Sequence, residues 1–135
     1  IPGRTRLAID VRGIASQSLA RVEAAIRTAV DEIAGRRGVA PEIRLVRAGE
    51  PVTMNAHLVQ AALAAAREHG IPATETWSGA GHDAQHVTAL APALLLFVPL
   101  HGGESHTPQE GADMAEILQA AEVVTAVLAR ALTCP

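Results

Sequence analysis

S-G-A-G-H-D-A-Q-H-V-T-A-L-A-P-A-L-L-L-F-V-P-L-H-G-G-E-S-H-T-P-Q-E, residues 78–110, is the stretch whose reading decides the fold. Two loops rich in glycine and histidine, residues 78–83 and 101–107, bracket the apolar run 93–98. Glycine reaches backbone conformations that a Cβ forbids, and histidine beside it can bind a metal or move a proton. An unbroken apolar run between Pro92 and Pro99 suits a strand buried on both faces. The expectation is that both loops leave the carboxyl ends of strands and meet at one edge of a sheet. In open α/β sheets that edge is where ligands bind.

Working outward, residues 73–77 read as a short strand and 83–90 as a short helix closed by Pro92. Upstream, Thr53 or Asn55 can cap a helix whose apolar stripe is Leu58, Val59, Ala62, Leu63 and Ala66, ending at Gly70 with Pro72 beyond. Downstream, Thr107-Pro108-Gln109-Glu110 reads as a capping box with proline at the first helical position. In that reading the Glu110 carboxylate reaches back to the Thr107 amide. The last helix then carries Met114, Ile117, Ala121, Val124 and Leu128 on one stripe.

The first fifty residues read as strand, helix, strand. Residues 4–12 alternate, with Thr5, Leu7, Ile9 and Val11 on one face. Ser16 or Ser18 is the expected cap of a helix marked by Leu19, Val22, Ile26, Ala29, Val30 and Ile33, stopped by Gly35 and Gly38. Residues 42–47 are the second strand. Gly49-Glu50-Pro51 punctuates the chain and marks the expected domain boundary, 1–50 against 51–135. The predicted fold class is α/β, a parallel or mixed sheet covered by helices, preceded by a β-α-β piece.

Composition narrows the function. At 135 residues with 49% hydrophobic and 19% charged content, the chain can bury a core and is not a disordered tail. Net charge is −3 and the basic residues, all arginine, never cluster beyond Arg36-Arg37, so a nucleic-acid footprint is missing. No apolar run approaches membrane-spanning length. Cys134 is the only cysteine, which excludes an intrachain disulfide and a cysteine-based zinc site. A start at Ile1-Pro2-Gly3, with neither Met nor a leader-like stretch, suggests a fragment or processed chain.

Each constellation has a plain reading beside the functional one. Gly79-Ala80-Gly81-His82-Asp83-Ala84 fits G-x-G-x-x-A, a dinucleotide fingerprint, but Asp83 at the helix start would repel a pyrophosphate. A glycine turn opening a helix is the commoner origin of such a match. His82 and His86 stand four apart, as zinc ligands on one helix face do, yet Asp83 stands where that motif has Glu, and His86 reads better as a partly exposed helix residue. His106, set before the capping box and after two glycines, is the best ligand candidate, although a metal site takes three or four donors. Arg12 beside Asp10 reads first as a surface ion pair.

Three segments together carry a resemblance: Ile1-Pro2-Gly3 through Asp10-Val11-Arg12, Ser78 through Ala84, and Phe97-Val98-Pro99 through Gly103-Glu104-Ser105-His106-Thr107-Pro108-Gln109-Glu110. In order and spacing they resemble the C-terminal third of the N-carbamoyl-L-amino-acid hydrolases, allantoate amidohydrolases and β-ureidopropionases, within the aminoacylase-type metallopeptidase superfamily. The resemblance implies a bimetallic hydrolase whose inserted, ferredoxin-like lid domain dimerises the protein, with residues 1–50 in the lid and 51–135 in the catalytic domain. It implies His106 as a metal ligand, Arg12 as the lid arginine that grips a substrate carboxylate with two prongs, and Gly81 as a backbone contact to substrate. His82 and Gln85 belong to the same substrate-binding loop. Two Zn²⁺ or Mn²⁺ ions would bind hydroxide and polarise the ureido or amide carbonyl in such an enzyme, with an upstream glutamate as general base. The implied enzyme is a cytoplasmic homodimer acting on small carboxylated substrates.

There are departures as well. Leu100 stands where a small polar residue is common, and Glu104 where an apolar or basic one is usual. The family's H-x-D segment, bridging Asp, paired acidic residues and lid asparagine fall before Ile1. The chain alone is therefore expected to be inactive and to bind metal weakly. A non-catalytic dimerisation or binding module, and a dinucleotide-binding domain, stay open as alternatives.

Overall fold

The computed structural model describes residues 3–133; Ile1, Pro2 and Cys134, which the sequence reading singled out, lie outside them. The chain divides into two compact units, Ile1–Val52 and Thr53–Pro135.

The first unit is built on one helix, α1 (Ser16–Arg37). Neither predicted serine caps it. Ala15 occupies the cap position, the Ser16 hydroxyl donates to the Glu50 carboxylate, and Ser18 Oγ accepts from Arg21 at 3.4 Å. Gly35 stays helical, and Gly38, at φ 65°, ends the helix while the Val39 N–H donates to the Ala34 carbonyl at 3.2 Å. A left-handed residue there is natural for glycine and satisfies the last carbonyls. Arg27 pairs with Glu23 one turn back at 2.7 Å, a surface contact that contributes about 0.3–0.5 kcal/mol. Only Ala34 of α1 is buried.

The second unit holds α2 (Ala56–Glu68), the short α3 (Ala84–Val87), a 3-10 turn (His101–Gly103) and α4 (Met114–Thr133). Asn55 caps α2, its side-chain oxygen accepting the Leu58 N–H at 3.1 Å, which stabilises the helix by about 1 kcal/mol. Gly70, at φ 69°, closes it, and the Ile71 N–H returns to the Ala66 carbonyl at 2.8 Å. The core is the α2–α4 contact. Ala62, Ala65 and Ala66 let the helices approach closely, Val123 and Val127 fill the seam, and Leu58, Ile71 and Leu94 flank it. Arg130 of α4 ties the rim, donating to the Ala61 carbonyl at 3.2 Å and pairing with Glu68.

The predicted α/β class does not hold. Among the described residues there is no strand and no sheet. Segments 4–12, 42–47, 73–77 and 93–98 are extended or irregular chain, and no backbone ladder joins any two of them. Alternation and apolar runs report which side chains would gain from burial. They do not supply the second backbone whose donors and acceptors a strand must meet. The exposure agrees: Leu7 is 80% exposed and Phe97 51%, and within 93–98 only Ala93 is buried. The β-α-β reading of residues 1–50 fails on the same ground, and so does the argument that a sheet edge gathers the two loops.

The predicted stripe on α4 is also displaced. Met114, Ile117, Val124 and Leu128 are exposed, whereas Val123 and Val127 pack on α2. A helix with apolar residues on more than one face does not declare from periodicity which face is covered. No helix among the described residues is long and apolar enough to cross a membrane.

Candidate active site

The first glycine/histidine loop is organised around His82. Two glycines between Ser78 and His82 let the chain fold back, so that Ser78 Oγ lies 2.7 Å from His82 Nε2. The same hydroxyl accepts the Ala80 N–H at 3.1 Å. The hydroxyl can therefore donate to Nε2 or accept from it, according to the tautomer of the ring. Gln85 Oε1 accepts the His82 N–H at 3.3 Å, and the Gln85 N–H returns to the His82 carbonyl at 3.0 Å. Phe97 sets its ring edge-on to the imidazole, centroids 5.4 Å apart at 67°, a favoured aromatic geometry. His82 is half-buried by these contacts, while Gly81 stays exposed with Gln85 Oε1 3.6 Å from where a Cβ would lie. The structure thus sets Gly81 and His82 of the loop against Gln85 of α3 (Ala84–Val87). Ser78 and Phe97 are the partners that sequence reasoning left without a role; the only sequence signal was their place in the quoted stretch.

The four residues of α3 begin just after this loop. So short a helix has little dipole to offer an anion, and no strand precedes the loop. Both context requirements of a dinucleotide cradle are therefore unmet.

The second loop is closed by His101. Its N–H donates to the Gly111 carbonyl at 2.7 Å, and its Nε2 lies 3.1 Å from Asp113 Oδ1. Gly111 sits so close beneath the ring that a Cβ there would come within 3.0 Å of Nδ1. Gly102 and Gly103 take φ of 63° and 70°, which carries the chain through the turn. His106 follows at φ 58°, alone among described non-glycine residues in having a positive φ. That conformation costs a residue with a Cβ about 1–2 kcal/mol. The predicted capping box is not built: 107–110 is a turn, and α4 begins only at Met114. Glu110 reaches past Thr107 and accepts the His106 N–H at 2.6 Å, while Thr107 Oγ1 takes the Gln109 N–H at 3.2 Å. The Thr107 hydroxyl also donates to Glu104 at 3.3 Å.

Arg12 lies in the first unit. Its Nε and Nη2 both reach Asp10 Oδ2, at 2.9 and 2.6 Å, and the pair is open to solvent. Hydrogen bonding to the guanidinium, with its charge, holds the Asp10 carboxyl below its ordinary value, and the same bond raises Arg12.

Residues 8–130, which include Arg12 and both loops, match the sequence profile of Peptidase family M20/M25/M40, and the chain belongs to that family. Among its relatives, an allantoate amidohydrolase of Bacillus subtilis is 38% identical over 110 residues, 82% of this chain and 27% of that protein. N-carbamoyl-L-amino-acid amidohydrolases of Rhizobium meliloti and Paenarthrobacter aurescens are 32% and 30% identical, over 92% and 95% of this chain and 32% and 31% of theirs. The chain thus spans about a third of the length of the curated relatives it matches. No solved structure gives a significant match.

The family is in general metal-dependent. Among the described residues, however, no three His, Cys, Asp or Glu side chains converge where an ion could sit. A protein metal site takes three or four donors, so the described residues do not by themselves fit a resident metal.

Proposed function

We propose that this chain is part of a metal-dependent amidohydrolase that cleaves linear carbamoyl, ureido or amide C–N bonds of small carboxylated substrates. The observation that supports it most is the similarity to relatives named allantoate and N-carbamoyl-L-amino-acid amidohydrolases, which covers 82–95% of the chain. In the reaction, water adds to the carbonyl carbon, the C–N bond breaks, and the amine nitrogen leaves with a proton. From an N-carbamoyl amino acid this frees the amino acid and carbamate.

In this reading Arg12 exchanges Asp10 for the substrate carboxylate, since a guanidinium offers the same two prongs to either anion. His82, held by Ser78 and Phe97, and Gly81 and Gln85 beside it, form the substrate-side loop. His106 contributes one ligand to a Zn²⁺ or Mn²⁺ site whose other donors come from outside this chain. The enzyme is a cytoplasmic homodimer through the first unit. The 135-residue chain alone is inactive and binds metal weakly, consistent with a single candidate ligand in an exposed loop.

The test measures free amino acid and ammonia released from N-carbamoyl-L-amino acids and allantoate, with Zn²⁺ or Mn²⁺, by the isolated chain and by the intact enzyme. Turnover by the intact enzyme alone is expected. Metal-dependent turnover by the isolated chain would overturn the partial-site reading, and none by either would overturn the activity.

A further inference from the structure

We infer that Glu110 is a positioning residue: its carboxylate, by accepting the His106 N–H, holds His106 in its left-handed conformation and so aims the imidazole. For its effect on turnover this rests on the placing of His106 in the active site; its structural half does not.

His106 carries a backbone cost: histidine is found at positive φ more often than most residues, yet the conformation is still disfavoured for any residue with a Cβ and needs support from its surroundings. A strained residue persists where its surroundings over-determine it. Here the bond comes from Glu110 Oε2 at 2.6 Å, a short, charge-assisted contact of the stronger kind. An exposed amide could instead bond water, but water would serve any φ and cannot select this one.

The carboxylate is itself delivered by a turn. The Glu110 N–H donates to the Thr107 carbonyl at 3.1 Å, and the Gln109 N–H to Thr107 Oγ1 at 3.2 Å. Thr107 is anchored in turn to Glu104, which gives that departure from the family pattern a place in the loop. If His106 relaxed to ordinary helical φ, the torsion would swing by about 120°. That would carry the ring well beyond the ~1 Å misplacement that can cost about 100-fold in rate.

The experiment pairs amide hydrogen exchange on the 135-residue chain with kinetics of the intact hydrolase, for Glu110→Ala, Glu110→Gln and His106→Ala. Unchanged protection of α2 amides certifies that each variant is folded. In E110A the His106 amide should exchange about 10-fold faster, since the bond contributes on the order of 1.5 kcal/mol, and kcat should fall about 100-fold with KM little changed. E110Q keeps an acceptor oxygen and should recover much of both. An unchanged His106 amide in E110A would overturn the inference, whatever the kinetics. Turnover lost in H106A but kept in E110A would overturn the positioning role alone. Turnover kept in both would overturn the placing of His106 and the positioning role with it.

Discussion

The two glycine/histidine loops hold His82 and His106 by opposite means. In the first, the His82 side chain is gripped: Ser78 takes its Nε2, Phe97 packs its ring, and Gln85 takes its amide. In the second, the His106 backbone is gripped by Glu110, with the turn closed behind it by His101, Gly111 and Asp113. A ring held on two sides has its orientation set. A ring whose backbone alone is fixed is presented outward, still able to meet a partner. In the function proposed above, the first is the substrate-side residue and the second the ligand.

The largest expected effect comes from removing the presented ring. His106→Ala in the intact enzyme should lower kcat/KM at least about 100-fold and reduce bound metal measured by elemental analysis, while the first loop keeps its contacts. Full metal content with full activity would remove the distinction between the loops. Next is Phe97→Ala, which strips the edge-on ring from His82. Phe97 is half exposed, so the aromatic contact should contribute about 1 kcal/mol, read by denaturation, and a cycle with His82→Ala should show the coupling. The same variant should leave His106 amide exchange unchanged.

Gly111→Ala probes the closure of the second loop. The new Cβ would press on the His101 ring, which is exposed enough to swing aside, so the stability loss should stay below about 1 kcal/mol. The sign of the change is seen best in a weakened His101–Asp113 contact, followed by imidazole chemical shifts. The smallest effect concerns Asp10, an exposed contact outside both loops. Its folded carboxyl is held below the ordinary value by the Arg12 hydrogen bond, so its contribution is complete above about pH 4 and is lost as pH falls through the folded value. An NMR titration should find its midpoint below that of an unpaired aspartate, and no change between pH 5 and 8.

Helices and family were legible in the sequence because their signals are local. Asn55 as a cap and Gly38 and Gly70 as stops act within a few residues, and α2 follows from its own stripe. The four extended segments were misread because strand formation depends on a partner that no local pattern contains; Leu7, Ile9 and Val11 alternate whether or not another strand lies beside them. The α4 face was misread because Val123 and Val127 compete with Val124 and Leu128, and only α2 decides between them. Glu110 illustrates a third kind of miss. Its role as an acceptor of a backbone amide was readable from T-x-x-E, but which amide depended on His106 entering the left-handed region, which a histidine permits but does not announce in sequence. The Ser78–His82 bond was hidden in a motif whose glycines drew the attention.

The central claim is that this member of a peptidase family serves a linear, non-peptide C–N bond. The most direct measurement gives the intact enzyme, with Zn²⁺ or Mn²⁺, an N-carbamoyl-L-amino acid and a dipeptide sharing the same C-terminal residue, and follows release of that amino acid. Release from the carbamoyl compound and not from the dipeptide is the predicted result; release from the dipeptide alone would contradict the account.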